Sequence, residues 1–325
     1  MNRAIMHLRG RWHVDVLVAP RQLRVVRRFK VELHQPQQRI QEALGSLSST
    51  RPMTRTITYS SVLVVLSVFT MLTFTKGAEG AAGTKPCAHA HNDYLNDRPL
   101  LDALEHGACS FEVDIFLVDG LLLVGHQRER LQVEETLTNM YLEPLRRRIE
   151  RQGNSIYAEG VPPILLIDIK SDGLETYRVL RQLLLQYRTI FSCLQDNRMT
   201  AGAMTVVVSG NRAIDNISAD KLRCVGIDGR LSDLDSSMPS HLMPLISDNW
   251  EKHFEWRGDG TMPEEEKTRL REIVHEAHRS GRRVRFWAAP DNVSVWEELY
   301  SAGVDLINTD RLEELARFLR LEKLP

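Results

Sequence analysis

Glu112 and Asp114 lie two apart in Phe111-Glu112-Val113-Asp114, and Asp168 and Lys170 lie two apart in Leu166-Ile167-Asp168-Ile169-Lys170. Residues two apart in a strand share a face, so each pair projects to one side. Three carboxylates gathered at one place repel and raise one another's pKa values unless a cation sits among them. An all-oxygen set suits Mg²⁺ or Ca²⁺ better than zinc. Histidines flank the acids: His89 and His91 in His89-Ala90-His91-Asn92-Asp93-Tyr94, and His126 after Leu121-Leu122-Leu123-Val124-Gly125. Their pKa range suits proton transfer near neutrality. Together these groups offer what cleavage of a phosphodiester needs, namely neutralised phosphoryl oxygens, a base for the attacker and an acid for the leaving oxygen. The attacker is either water or a hydroxyl of the substrate, giving hydrolysis or a cyclic phosphate. No G-x-S-x-G is present, so a serine elbow is not the chemistry. A plain salt-bridge cluster with Lys170 explains any one acid alone, but less well three acids at successive strand ends beside histidines. Asn92, Asp93 and Asp97 read as turn and cap residues. His106, His275 and His278 fall on predicted helices and read as solvated.

The elements that position these residues form a regular rhythm. β-rich runs are expected at 87–91, 110–116, 164–169, 205–209, 223–227, 243–247, 284–288 and 305–308. Helical periodicity falls between them at 99–106, 138–151, 174–187, 211–221, 264–280, 292–302 and 311–321. The connection 228–242 reads as loop. Eight strands with crossovers fit an α/β fold of the (β/α)8 TIM-barrel type better than an open doubly wound sheet. No G-x-G-x-x-G follows the first strand, which removes the dinucleotide-binding signature. Barrel chemistry sits at the C-terminal ends of the strands, where the acids and histidines fall. Trp250 and Trp287 end the sixth and seventh strands, where packing and lining a substrate pocket compete.

The net charge is −1 over 325 residues, with 11 Lys/Arg against 3 Asp/Glu in residues 1–55, leaving about −9 on the rest. So acidic a body does not suit nucleic-acid binding. Residues 1–55 read as a basic extension without regular structure, disordered or non-native. Residues 56–75 carry no charge, with 12 apolar or aromatic residues and 8 Ser/Thr, and read as a signal-peptide core or membrane anchor. Residues 76–84 read as a linker and 85–325 as the barrel domain. Export to the periplasm or extracellular space, with membrane association, is the resulting expectation. The four cysteines, Cys87, Cys109, Cys193 and Cys224, lack C-x-x-C spacing, and their pairing is not readable from the sequence.

The run His-Asn-Asp-Tyr, then Glu-x-Asp, Asp-Gly, Val-Gly-His, Tyr-Leu-x-Pro-Leu at 141–145 and Ile-Asp-Ile-Lys resembles the phosphatidylinositol phospholipase C-like phosphodiesterase superfamily. Within it the chain most resembles the altered inheritance of mitochondria protein 6 branch. Glycerophosphodiester phosphodiesterases and sphingomyelinase D toxins are more distant kin. The resemblance covers roughly 86–318. It implies a phosphoric diester hydrolase with a divalent cation on Glu112, Asp114 and Asp168, and with acid–base catalysis by His91 and His126. His89 is the reserve for the first histidine. It further implies Lys170 on the substrate phosphate and Trp287 beside the site; Asn92 joins them among the substrate-contacting residues. The His-Arg-Gly and Glu-Asn-Thr elements of glycerophosphodiesterases are missing, which weakens the case for that substrate specificity but not for the reaction. The implied partner is a phospholipid or other small phosphodiester, with no obligate protein partner. Two rivals remain: a His-x-His metal hydrolase of the amidohydrolase or histidinol-phosphatase type, and a catalytically silent exported barrel that binds a phosphorylated headgroup. The first rival needs further histidines at later strand ends, and 226–228 and 246–248 offer none.

Overall fold

Ile164, Leu166 and Asp168 project from one face of a strand, and Leu165, Ile167 and Ile169 from the other. The two faces meet different surroundings in the computed structural model, which describes residues 85–157 and 161–321 together with a short antiparallel pair, Ala4–Ile5 with Asp15–Val16. Leu165, Ile167 and Ile169 join the large apolar layer between sheet and helices. Ile164 and Leu166 instead meet Val207, Leu245 and Leu306 in a small separate cluster. That cluster fills the inside of a barrel below the acids.

The chain divides into two units, Met1–Phe74 and Thr75–Pro325, and the barrel belongs to the second. Apart from that two-residue pair, the expectation for 1–55 lies outside the described residues. The uncharged segment 56–75 and the linker 76–84 lie outside the described residues. No described helix is long and apolar enough to cross a membrane.

The strands and helices alternate. β1 (Cys87–Ala90) leads to α1 (Leu101–Glu105), and β2 (Ser110–Val118) turns into the antiparallel β3 (Leu121–Val124). α2 (Glu143–Arg151), β4 (Ile164–Ile169) and α3 (Gly173–Gln186) follow. A small sheet comes next, with β5 (Cys193–Gln195) and β6 (Arg198–Thr200), then β7 (Thr205–Gly210), α4 (Ile214–Ala219) and β8 (Leu222–Arg223), the third strand of that small sheet. β9 (Gly226–Gly229), β10 (Leu245–Asn249), α5 (Glu264–Arg279), β11 (Arg283–Trp287), α6 (Val293–Ala302), β12 (Leu306–Thr309) and α7 (Leu312–Leu321) complete it. Eight strands pair in parallel in the order β1-β12-β11-β10-β9-β7-β4-β2, and β2 returns to β1, so the sheet closes into the expected TIM barrel.

Three local expectations are corrected. The fifth barrel strand lies at Gly226–Gly229 and not at 223–227, because Leu222 and Arg223 pair with Gln195 and Leu194 in the three-stranded sheet. The sixth runs Leu245–Asn249, two residues later than expected, which carries Asp248 and Asn249 onto the strand. The hairpin at 193–200 was not foreseen, since its exposed second strand has no apolar alternation. The cysteines pair as Cys87–Cys109, across the starts of β1 and β2, and as Cys193–Cys224, between the small sheet and the approach to β9.

The β9–β10 connection holds no α-helix, as expected, but a single 3-10 turn at Leu231–Asp233 and a further turn in which the Leu242 and Met243 amides donate to the Pro239 carbonyl. Arg282 takes the place of a packed helix. Its buried guanidinium donates to the carbonyls of Asp233 (2.6 Å), Leu234 (3.2 Å), Ser236 (2.6 Å) and Met238 (2.8 Å). Arg282→Met keeps the apolar stem but strands these acceptors, so a loss of about 3 kcal/mol in chemical denaturation is expected. An unchanged midpoint would show that solvent satisfies the connection unaided.

His278 is not simply solvated. Its Nε2 lies 2.8 Å from Asp305 Oδ2, which also accepts from the Val284 amide. The hydrogen bond to Asp305 raises the imidazole pKa against the opposing effect of burial. A raised folded-state value stabilises fully below the unfolded value near 6.5 and is lost as pH rises through the folded value. The melting temperature should therefore fall between pH 6 and pH 9, and His278→Gln should flatten that part of the profile.

Candidate active site

Register brings the acids together. Asp114 of β2 stands beside Asp168 of β4, and Asp168 beside Ser209 of β7; Glu112 stands one layer deeper beside Leu166. One carboxylate oxygen from each of Glu112, Asp114 and Asp168 lies within 4.8 Å of the other two. Asp114 is fully buried and Glu112 nearly so.

The oxygens divide their work. Asp114 Oδ2 accepts from Tyr94 Oη (2.9 Å) and His126 Nδ1 (2.9 Å), with Lys170 Nζ at 3.3 Å. Asp168 Oδ2 accepts from Lys170 Nζ at 2.9 Å. Asp114 Oδ1 and Asp168 Oδ1 are buried and have no hydrogen-bond partner. Two buried anionic oxygens without donors are costly in a protein. A hard divalent cation is the partner that such a set accepts, so the residues fit the expected group. Burial raises the Asp168 pKa, an effect Lys170 only partly offsets. Burial pulls the Lys170 ammonium down, but Asp168 and Asp114 together outweigh it and hold it above its ordinary value.

Gly210 ends β7 with φ +67°, a conformation that disfavours side chains. A Cβ there would overlap Asp168 Oδ1 and the main chain of Ile169. The glycine keeps the space at the unpartnered oxygen open.

Glu112 sits in a buried pair. Its Oε2 accepts from Arg285 Nη1 at 2.6 Å and stands 2.8 Å from His89 Nε2. Burial alone would raise the Glu112 pKa; Arg285 and His89 together hold it well below the carboxylate range. His89 is completely buried, with Nδ1 2.8 Å from Ser110 Oγ. Burial, helped by Arg285, lowers its pKa to about 4. This enclosed imidazole stands beside both Glu112 and Arg285 and is closed to solvent.

His91 and His126 stand above this layer, each with Nδ1 on a carboxylate. His91 Nδ1 lies 2.8 Å from Asp310 Oδ1, just past β12. Asn92 Nδ2 lies 3.2 Å from His91 Nε2, and Asn92 Oδ1 lies 3.2 Å from Tyr94 Oη, whose proton goes to the closer Asp114. An amide donor at Nε2 makes that nitrogen the acceptor and leaves the proton on Nδ1, towards Asp310. Burial lowers the His91 pKa, but Asp310 and Glu112 outweigh it and raise the value. His126, just past β3, is more than half exposed and meets Asp114 through Nδ1.

Of the residues expected from sequence, Glu112, Asp114, Asp168, Lys170, His91 and His126 therefore gather at one mouth. Asn92 serves His91 and Tyr94 directly. Trp287 ends β11 half-buried, with the Arg230 guanidinium 4.9 Å and that of Arg285 5.9 Å from its ring centre. Trp250 is core, stacked on Phe254 at 4.1 Å. Asp93 is a buried structural acid that accepts from Tyr141 Oη and the Leu100 amide. Sequence reasoning did not single out Tyr94, Arg285 or Asp310. For Arg285 the signal was present: a charge at an inward position, alternating with Val284 and Phe286.

Residues 81–225 match the AIM6-like phosphodiesterase domain. That span includes the three acids, Lys170 and both exposed histidines, while Arg285, Trp287 and Asp310 fall in a second match, to the glycerophosphoryl diester phosphodiesterase family over 283–313. Altered inheritance of mitochondria protein 6 of Eremothecium gossypii is 29% identical over 266 residues, 71% of this chain and 68% of the relative. That of Lachancea thermotolerans is 29% identical over 279 residues, 71% of this chain and 65% of the relative. The chain is also similar to a solved glycerophosphodiester phosphodiesterase from Parabacteroides distasonis, at 16% identity and TM-score 0.46 over 74% of this chain and 100% of that one.

Proposed function

We propose that this chain is an exported, divalent-metal-dependent phosphodiesterase that cleaves a phospholipid or glycerophosphodiester-like substrate. The observation that carries the reading is the pair of buried, unpartnered oxygens on Asp114 and Asp168, set between two imidazoles anchored on carboxylates. Glu112, Asp114 and Asp168 would hold Mg²⁺ or Ca²⁺, whose charge neutralises the phosphoryl oxygens when bound. Lys170 adds a second positive charge at the phosphate. His91 and His126 exchange protons through Nε2, one accepting from the attacking hydroxyl and the other donating to the leaving oxygen. Asp310 and Asp114 hold the two rings in the required tautomer, and Asn92 and Trp287 border the substrate. All four cysteines are in disulfides, which supports an oxidising compartment and hence export, with 56–75 as signal or anchor.

Phosphorus NMR tests this with the full chain and a panel of lysophospholipids, sphingomyelin and glycerophosphodiesters, with Mg²⁺, Ca²⁺ or chelator. A metal-dependent new signal is expected, and its shift separates a cyclic phosphate from an open monoester. Folded, metal-bound protein that turns over none of them would favour the silent headgroup-binding barrel.

A further inference from the structure

Lys170 has a second exposure besides its two aspartates. It opens onto a cleft of about 580 Å³ between the loops that follow β4 and β7, lined also by Ser171, Asn211, Arg212 and Asn216. Gly173, in its lining, could carry no side chain, because a Cβ would overlap the Asn211 carbonyl. Asn211 Nδ2 donates to Ser171 O at 2.9 Å and ties the two loops together. One carboxylate, Asp172, also lines it, but its side chain accepts from the Glu175 amide and caps α3. The 14-residue α3 therefore presents its N-terminal end, with its partial positive charge, to the cleft.

Arg212 supplies the full charge. Its Nη1 donates to the Asp228 carbonyl, a neutral acceptor, and its Nε is buried without a partner. None of the ion pairs among the described residues uses it, whereas neighbouring Arg230 is paired with Asp228. Lys170, an arginine outside those ion pairs and the amides of Asn211 and Asn216, with Asp172 already engaged as the cap of α3, make a cleft chemically suited to oxyanions and not to acyl chains.

We infer that this cleft is the subsite for one arm of the diester, and that it selects an arm bearing a second anionic group such as a phosphomonoester. The inference rests on the phosphodiesterase reading for its placement, since Lys170 is shared between the cleft and the scissile phosphate. Cleavage would then deliver a doubly charged polar fragment on this side.

The test compares glycerophosphoglycerol with its terminal phosphomonoester, using the full chain, by calorimetric binding and by metal-dependent turnover. Wild type should bind and turn over the phosphorylated diester about tenfold better, chiefly through KM. Arg212→Gln should abolish that preference, Arg212→Lys should retain most of it, and Asn216→Asp, at an exposed position, should reduce it. Turnover of both diesters with no preference, or with one that survives in Arg212→Gln, overturns the subsite and leaves the phosphodiesterase reading standing. Arginine-dependent binding of the phosphorylated compound without cleavage upholds the subsite and removes the phosphodiesterase reading. Absence of both binding and cleavage overturns both.

Discussion

His91→Ala and His126→Ala should each lower kcat/KM on a phosphodiester by about 100- to 10,000-fold, the usual contribution of a positioned acid or base. Neither change should unfold the barrel. The His91–Asp310 pair is open to solvent, with side-chain exposures of 31% and 71%, and such pairs contribute about 1 kcal/mol or less. His126 is similarly exposed, and Asp114 Oδ2 keeps Tyr94 and Lys170 without it. Divalent-metal affinity, measured by calorimetry, should therefore stay close to wild type in both variants. Asp310→Asn provides a finer readout. Asp310 is the leading cause that raises the His91 pKa, so its loss should move the pH–rate limb governed by His91 to lower pH. Wild-type turnover in either alanine variant would remove that histidine from the chemistry.

Gly210→Ala should be as damaging although the residue has no functional group. The added methyl meets Asp168 Oδ1 and the Ile169 main chain, and the left-handed backbone adds about 1–2 kcal/mol of strain. The strain alone is small beside the stability of a large domain. Displacement of Asp168 is the larger effect, and metal-dependent turnover should fall at least about 100-fold, together with weakened metal binding. Full metal affinity in a folded Gly210→Ala protein would mean that Asp168 Oδ1 is not a ligand.

What the sequence disclosed follows from the range of the interactions. Strand positions were readable because burial on both faces produces runs such as Ile164–Ile169, and the acids were readable because period-two spacing sets them on one face. The cluster of Glu112, Asp114, Asp168 and Lys170 arises from adjacent strands, so local pattern and barrel topology together suffice. Arg223 misled the placement of the fifth strand because its pairing with Leu194 depends on a hairpin that shows no apolar alternation. Asp310 was not legible, because its partner His91 lies 219 residues earlier and nothing near Thr309-Asp310 signals that contact. The choice between His89 and His91 was equally hidden. Two residues apart on one face, they differ only in depth, which assigns His89 to Glu112 and Arg285 and leaves His91 at the mouth.

The contact between His91 and Asp310 joins the first barrel strand to the residue just after the last. A ribosome delivers these two ends far apart in time, and until β12 seats against β1 the first histidine lacks the carboxylate that sets its proton. Under the proposed function, catalytic competence would thus arrive late, with ring closure, and a chain halted or clipped before 306 would hold all three acids and both histidines yet stay inert.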